Sequence, residues 1–263
     1  VATILGKKIG LENIIGEDNS TTPPESWEYL AHKTDSGTWD WTWTAPKAGW
    51  YSFHIVGDGG SGGNGGASWA EAEYDGSWRT GSGGGGGGHG AYAIHKVFLQ
   101  RGRDVTFVKS GTAITAAILD ANIVVEHGKA GGAGSSTNNT PGPGGKTAAA
   151  TGANSANIAG GGGTAGRRGN SGHGVSAAND EYSSSKQGGN GGGISPAMKY
   201  SNGIPNNSRT AAADYTKANL GNAGNGGNSG SVSYYNSMPH TEASATPGYP
   251  GIPGGVVIDR AAS

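Results

Sequence analysis

Glycine at every third position is the feature that most limits what this chain can become. The series runs through Gly160, Gly163, Gly166, Gly169 and Gly172, then Gly221, Gly224, Gly227 and Gly230, then Gly248, Gly251 and Gly254. GGSGGNGG from Gly59 to Gly66, Gly128 with Gly131 and Gly134, and Gly188 with Gly191 keep the same spacing. A polyproline-II helix has three residues per turn and rises about 3.1 Å per residue, so glycine at this period leaves one stripe without side chains. Two such stripes can touch backbone to backbone, and their N–H and C=O groups then pair between neighbours, with Cα–H···O contacts assisting. Where two glycines fall in each turn, as in GGSGGNGG, two faces are bare and the segment can sit inside a bundle. Ordering glycine costs about 1–2 kcal/mol of backbone entropy per residue, so an isolated segment does not hold and a bundle is required.

Of the 263 residues 54 are glycine and 11 proline, a level at which a disordered linker is the usual reading, yet 7 Trp, 10 Tyr and 3 Phe are present. Flexible linkers do not keep a three-residue register across separate blocks, and collagen needs one uninterrupted, proline-rich Gly-X-Y run. There is no cysteine, so neither a disulfide framework nor a thiolate metal site can staple the chain. Stability must come from backbone pairing and aromatic burial. Eighteen Lys and Arg against 19 Asp and Glu leave a formal charge of −1, which argues against nucleic acid or an anionic membrane as partner. No apolar run approaches the roughly 18 residues of a membrane span, and VATILGKKIG lacks the apolar core of a secretory signal, so no membrane insertion is expected.

Residues 1 to 56 hold few glycines and most of the large apolar side chains. In TWDWTWT the residues Trp39, Trp41 and Trp43 alternate with Asp40 and Thr42, which places three rings on one face of a strand and assigns them to a core. Ala45 to Gly49 break the run, and Tyr51, Phe53 and Ile55 then alternate with Ser52 and His54 in a second strand. AYAIHKVFL at 91–99 and DVTFVKS at 104–110 read as two further strands across a turn; ILDANIVVEH at 118–127 reads as a pair of short apolar runs, and VVID at 256–259 as a last short strand. The stretches between glycine blocks, at 67–80, 135–141, 175–187, 194–220 and 231–247, read as loops rich in Tyr, Trp, Ser and Asn, the composition of an adaptable binding surface.

Catalytic motifs are missing. The nearest phosphate-loop candidate ends in Gly145, Lys146 and Thr147 but has Thr140 where the first glycine is needed. Matches to G-x-G-x-x-G follow from composition, and none opens a helix after a strand. His54, His89, His95, His127, His173 and His240 lack metal-ligand spacing, and Asp104, Asp120, Asp180 and Asp214 pair with no nucleophile. Neither an enzyme nor a bound cofactor is expected.

The arrangement resembles the glycine-rich domains at the ends of phage tail fibres and related tail-tip proteins. The residues that carry the resemblance are TWTAPKAGWYSFHIVGDGGSGGNGG at 42–66, GGGGGGHGAYAIHKVFL at 83–99 followed by DVTFVKSG, and the closing GIPGGVVID at 251–259. The match covers residues 38 to 259; residues 1–37 depart from the attachment region expected of such adhesins. The resemblance implies an all-β fold with polyglycine-II: a small β-sandwich base carrying a packed bundle of glycine-rich helices and variable loops. It divides the chain into an attachment segment at 1–37, a base with the first glycine segments at 38–127, and a bundle with loops and closing strand at 128–263.

The implied function is that of a virion adhesin at the tail-fibre tip, whose loops bind a bacterial surface protein or glycan. The chain would be mounted on a tail-fibre subunit or self-associate as a homotrimer. The candidate contact residues are Trp69, Tyr74, Trp78, Tyr182, Tyr200, Tyr215, Tyr234, Tyr235 and His240. The alternative is a virion structural protein, a spacer, cap or decoration that binds only other subunits. An ice-binding role is disfavoured by Arg167, Arg168 and the bulky loops, and a hydrolytic depolymerase is the enzymatic alternative.

Overall fold

The computed structural model describes residues 3–4, 7–8, 23–24, 26–67, 69–70, 77–79, 81–135, 150–151, 158–161, 174–176, 220–221, 223–229, 231–235, 238–243 and 245–262. These residues form strands and no helix. In chain order the strands are β1 Thr3–Ile4, β2 Lys7–Lys8, β3 Trp27–Lys33, β4 Trp39–Thr44, β5 Gly49–Val56, β6 Trp69–Ala70, β7 Ser77–Arg79, β8 Tyr92–Leu99 and β9 Asp104–Lys109. They continue with β10 Ala113–Ile118, β11 Ala121–Glu126, β12 Ala150–Thr151, β13 Ile158–Gly161, β14 Gly174–Ser176, β15 Ser231–Tyr235, β16 Met238–Ala243 and β17 Gly255–Ala261.

Two five-stranded antiparallel sheets carry the core, one ordered β12-β11-β10-β9-β4 and the other β13-β8-β5-β17-β3. Their inner faces meet as a β-sandwich. In β4 the alternation works as expected: Asp40, Thr42 and Thr44 are exposed, while Trp39, Trp41 and Trp43 lean on the core. Trp41 is cross-strand partner to Phe107, with ring centroids 5.4 Å apart. Trp43 reaches the opposite sheet and meets Tyr51 and Phe53 edge-on at 5.1 and 5.8 Å, and Phe53 meets Phe107 at 5.9 Å. Edge-to-face contacts of this kind add about 0.5–1.5 kcal/mol beyond burial, so this aromatic knot joins the two sheets. Tyr51 donates its hydroxyl to the Lys47 carbonyl at 2.8 Å, and burial pushes its phenol above the ordinary value.

The connections β4–β5 and β8–β9 each cross from one sheet to the other. They brace each other, because Ala45 N–H donates to the Arg103 carbonyl and Gly102 N–H donates to the Ala45 carbonyl. The closing strand β17 is longer than VVID and lies inside its sheet, between β5 and β3.

Three readings of the sequence change. The pair placed at 118–127 is the end of a longer hairpin: Ile118 closes β10, Leu119 and Asp120 turn with Leu119 at φ 51°, and β11 follows. Its first strand, AITAAI, is too rich in alanine to show as a strand by propensity. β3 falls in the segment set apart at 1–37, and its half-buried residues on both faces hide any alternation. Finally, parts of the stretches read as loops at 67–80, 175–187 and 231–247 are strands, since β6 pairs with β7, β7 with β14 through Val175 and Ser176, and β15 with β16, the Val232–Tyr235 run supplying β-formers.

Phe53 is fully buried at the centre of the aromatic knot. Phe53→Ala is therefore expected to lower the unfolding free energy by about 3–5 kcal/mol, read from urea denaturation; a loss under about 1 kcal/mol would contradict this core.

Candidate functional site

Four core strands run directly into glycine-rich segments. β5 leads into 57–66, segment 81–91 leads into β8, β11 leads into 127–135, and segment 245–254 leads into β17; a fifth segment, 221–229, described at 221 and 223–229, follows Leu220, which packs on Val56 and Val257. None of the five is helix or strand by its hydrogen bonds, because the bonds run between segments at intervals of three.

Gly57, Gly60, Gly63 and Gly66 donate N–H to the carbonyls of Ala91, Gly88, Gly85 and Ser82. Gly59, Gly62 and Gly65 donate to Ile252, Tyr249 and Thr246. These two rows continue the sheet, in which β8 and β17 flank β5. Segment 127–135 arrives from the other sheet and approaches the same layer from one side. Gly128, Gly131 and Gly134 donate to Asp58, Ser61 and Asn64, in parallel, while Gly88, Gly85 and Ser82 donate to Lys129, Gly132 and Ser135. Segment 221–229 closes the opposite side, accepting from Gly90, Gly87 and Gly84 and donating from Gly224 and Gly227 to Gly60 and Gly63. The result is a middle layer of three segments with one segment on each face.

Steric space explains the glycines. A Cβ on Gly60 or Gly63 would lie 2.2 or 1.9 Å from the carbonyl oxygen of Lys129 or Gly132, and on Gly62 or Gly65 2.0 or 1.9 Å from that of Asn225 or Asn228. Gly84, Gly87 and Gly90 each face a carbonyl of 57–63 at 2.0 Å. Segment 57–66 thus has two bare faces, and its third carries Asp58, Ser61 and Asn64.

Asp58 locks the segments to the sandwich. Its carboxylate accepts from Lys109 Nζ at 2.6 Å and from Gly254 N–H, and its own N–H donates to His127 Nδ1 at 2.8 Å. His127 Nε2 then donates to the Ser110 carbonyl at 2.9 Å, so the ring is the Nε2-protonated tautomer. Lys109, almost fully buried, also donates to the Asp35 carbonyl at 3.0 Å. The sequence reading missed this cluster, although Asp58 is the one charge within 57–66.

A second buried cluster has the composition of a catalytic triad without its geometry. Ser52 Oγ and Asp259 Oδ2 both approach Nε2 of His54, at 3.1 and 3.2 Å. A proton relay needs the hydroxyl on one ring nitrogen and the carboxylate on the other. Among the described residues there is no cluster of three or more potential metal ligands and no helix long and apolar enough to cross a membrane.

The segments also decide where the aromatic stretches go. Segments 57–66 and 221–229 both lead away from the sandwich, and 81–91 and 245–254 both return to it. β6 and β7, which follow 57–66 in the chain, and β15 and β16, which follow 223–229, therefore lie at the same far end. Of the candidate contact residues, Trp69 lies in β6 opposite Arg79, and Trp78 lies in β7 opposite Ala70 and Val175. Tyr234 and Tyr235 lie in β15 opposite Pro239 and Met238, and His240 lies in β16 opposite Ser233. β16 runs beside β6, so these five positions share one region of backbone. Tyr74, Tyr182, Tyr200 and Tyr215 lie outside the described residues, as does Gly166.

No family model matches the sequence, and no curated protein matches it.

Gly63→Val is expected to abolish the cooperative melting of the glycine segments, because its side chain would meet only backbone, that of Gly131 and Gly132; a soluble variant with wild-type melting would refute the close approach. Asp58→Ala leaves Lys109 buried without its carboxylate, and a loss of about 3 kcal/mol in chemical denaturation is expected.

Proposed function

We propose that the chain is a receptor-binding adhesin of a phage tail-fibre tip. In this reading the glycine segments are polyglycine-II helices packed as a bundle on the β-sandwich. The strands and connections at the far end bind an outer-membrane protein or glycan of the host bacterium. Residues 1–37 contribute to mounting on a fibre subunit or on further copies of the chain, as a homotrimer. Attachment is by binding, with no chemical step.

One observation carries the reading: segments interlocked backbone to backbone through their glycines bring two Trp- and Tyr-bearing stretches, 67–80 and 230–244, to one end. Such a scaffold has little to bind with along the faces of Gly60, Gly63, Gly62 and Gly65, where neighbouring carbonyls occupy the Cβ positions. Its use is to hold other residues still. A pre-ordered contact surface loses less conformational entropy on binding, which lets a small patch bind usefully. Aromatic side chains supply large contact area on two rotatable bonds, and His, Ser and Asn supply adaptable hydrogen bonds.

The double substitution Tyr234→Ala and Tyr235→Ala tests this reading. Adsorption of the purified chain to host cells is expected to weaken about tenfold or more, with an unchanged melting temperature. Adsorption equal to wild type would remove these two residues from the contact surface.

A further inference from the structure

Segment 245–254 differs from the other glycine segments in sequence and exposure. After Ala245 it consists of three X-Pro-Gly triplets, Thr246-Pro247-Gly248, Tyr249-Pro250-Gly251 and Ile252-Pro253-Gly254. Its glycines face inward: a Cβ on Gly248, Gly251 or Gly254 would lie 2.1, 2.1 or 2.0 Å from the carbonyl oxygen of Gly62, Gly59 or Val56. Its backbone is held on two sides, accepting from 57–66 and donating from Thr246 and Tyr249 to Asn228 and Asn225. Most of the remaining positions face out, with Ala245 and Pro253 half-buried. Thr246, Pro247, Tyr249, Pro250 and Ile252 are exposed, Tyr249 by 65% and Ile252 by 41%. Two of the four large exposed hydrophobic residues among those described are therefore three positions apart on one segment, while Val108 and Leu119 stand elsewhere on the sandwich.

Every residue of these triplets is conformationally restricted. Proline fixes its own φ, the residue before proline is driven to extended backbone, and the glycine is confined by the segment beneath it. The Tyr249 and Ile252 side chains are thus displayed on a backbone with little entropy left to lose. The prolines also remove N–H groups, so the outward backbone at Pro247 and Pro250 offers acceptors and no donors. A further glycine segment, which needs reciprocal N–H···O pairing, has no donors to meet there. No charged residue occurs from Thr246 to Pro253, and the exposed Ser61 and Asn64 beside them are neutral. An uncharged, convex, proline-spaced ridge with an aromatic ring and acceptor-only backbone complements a concave protein groove lined by aromatic rings and hydrogen-bond donors, the mode by which extended proline-rich segments are recognised.

We infer that Thr246–Pro253 is a lateral docking ridge, separate from the far-end strands, for a protein partner with such a groove. Resting on the adhesin reading, the partner is a surface protein of the host cell, which narrows the receptor from protein or glycan to protein.

The test uses the full chain, fluorescently labelled, with whole cells from a panel of Gram-negative strains, either untreated, protease-treated or periodate-treated. Wild-type chain is expected to bind at least one strain, to lose binding after protease and to keep it after periodate. Tyr249→Ala combined with Ile252→Ser is expected to weaken binding roughly thirtyfold with unchanged melting, the effect of removing a buried aromatic anchor. Tyr249→Phe is expected to retain binding, and so is Val108→Ser, which alters an exposed hydrophobic residue elsewhere. Wild-type binding by the double variant would overturn the ridge alone. Loss after periodate but not protease would assign the contact to glycan and overturn the protein partner. Wild-type chain bound to no strain would overturn the adhesin reading itself, and the ridge's partner with it.

Discussion

The architecture depends on one substitution of matter for matter: where other residues carry a Cβ, these glycines admit a neighbouring carbonyl oxygen. Distances of about 2 Å between an imagined Cβ at Gly63, Gly87 or Gly131 and the facing oxygen leave no room for even a methyl group. The close approach brings N–H and C=O within bonding distance on several sides of one segment. A single row of four bonds, at about 1 kcal/mol net each, falls short of ordering ten residues of 57–66 at about 1–2 kcal/mol apiece. Residues 57–66 instead bond to four neighbouring segments, and that multiplicity is what makes the segment stand.

The β-sandwich supplies what glycine cannot, a means of choosing neighbours. Bare backbones are nearly interchangeable, so their register has to be imposed from outside. The order β8-β5-β17 places 81–91 and 245–254 on either side of 57–66, and β11 delivers 127–135 from the opposite sheet. Sheets separated by side chains stand about 10 Å apart, and the two layers close together only where the side chains stop. Asp58 marks that boundary. It ties Lys109 of the sandwich to Gly254 and His127 of two different segments, which sets the rows in phase. Prolines in 245–254 end the lateral repetition by withholding donors, much as proline blunts the edge of a sheet.

Much of this was legible from residue order. The alternation in TWDWTWT announced a buried aromatic face, and Trp39, Trp41 and Trp43 do pack on the core. The strands at 39–44, 49–56, 92–99 and 104–109 were legible for the same reason. AITAAI and WEYLAHK were not, since alanine is a poor β-former and half-burial on both faces leaves no period. Among the contact candidates, the positions of Trp69, Trp78, Tyr234, Tyr235 and His240 at one end follow from chain direction, but their place on paired strands does not. Asp58 was hidden because a lone acid among glycines has no pattern, and its partners Lys109 and His127 lie far along the chain.

Glycine at a three-residue interval by itself determined which positions could touch a neighbour, because the missing Cβ is a property of the residue. Alternating aromatic residues likewise determined which faces had to be buried. Which segment touches which, in what direction, and with which residues left outside was decided only in three dimensions. Backbone hydrogen bonds between glycines carry no side-chain identity, so partner choice came from the strand order of two sheets and from a few long-range contacts. Tyr249 and Ile252 became an exposed ridge for the same reason: their segment was placed at the margin by β17, and nothing in X-Pro-Gly alone says which side faces water.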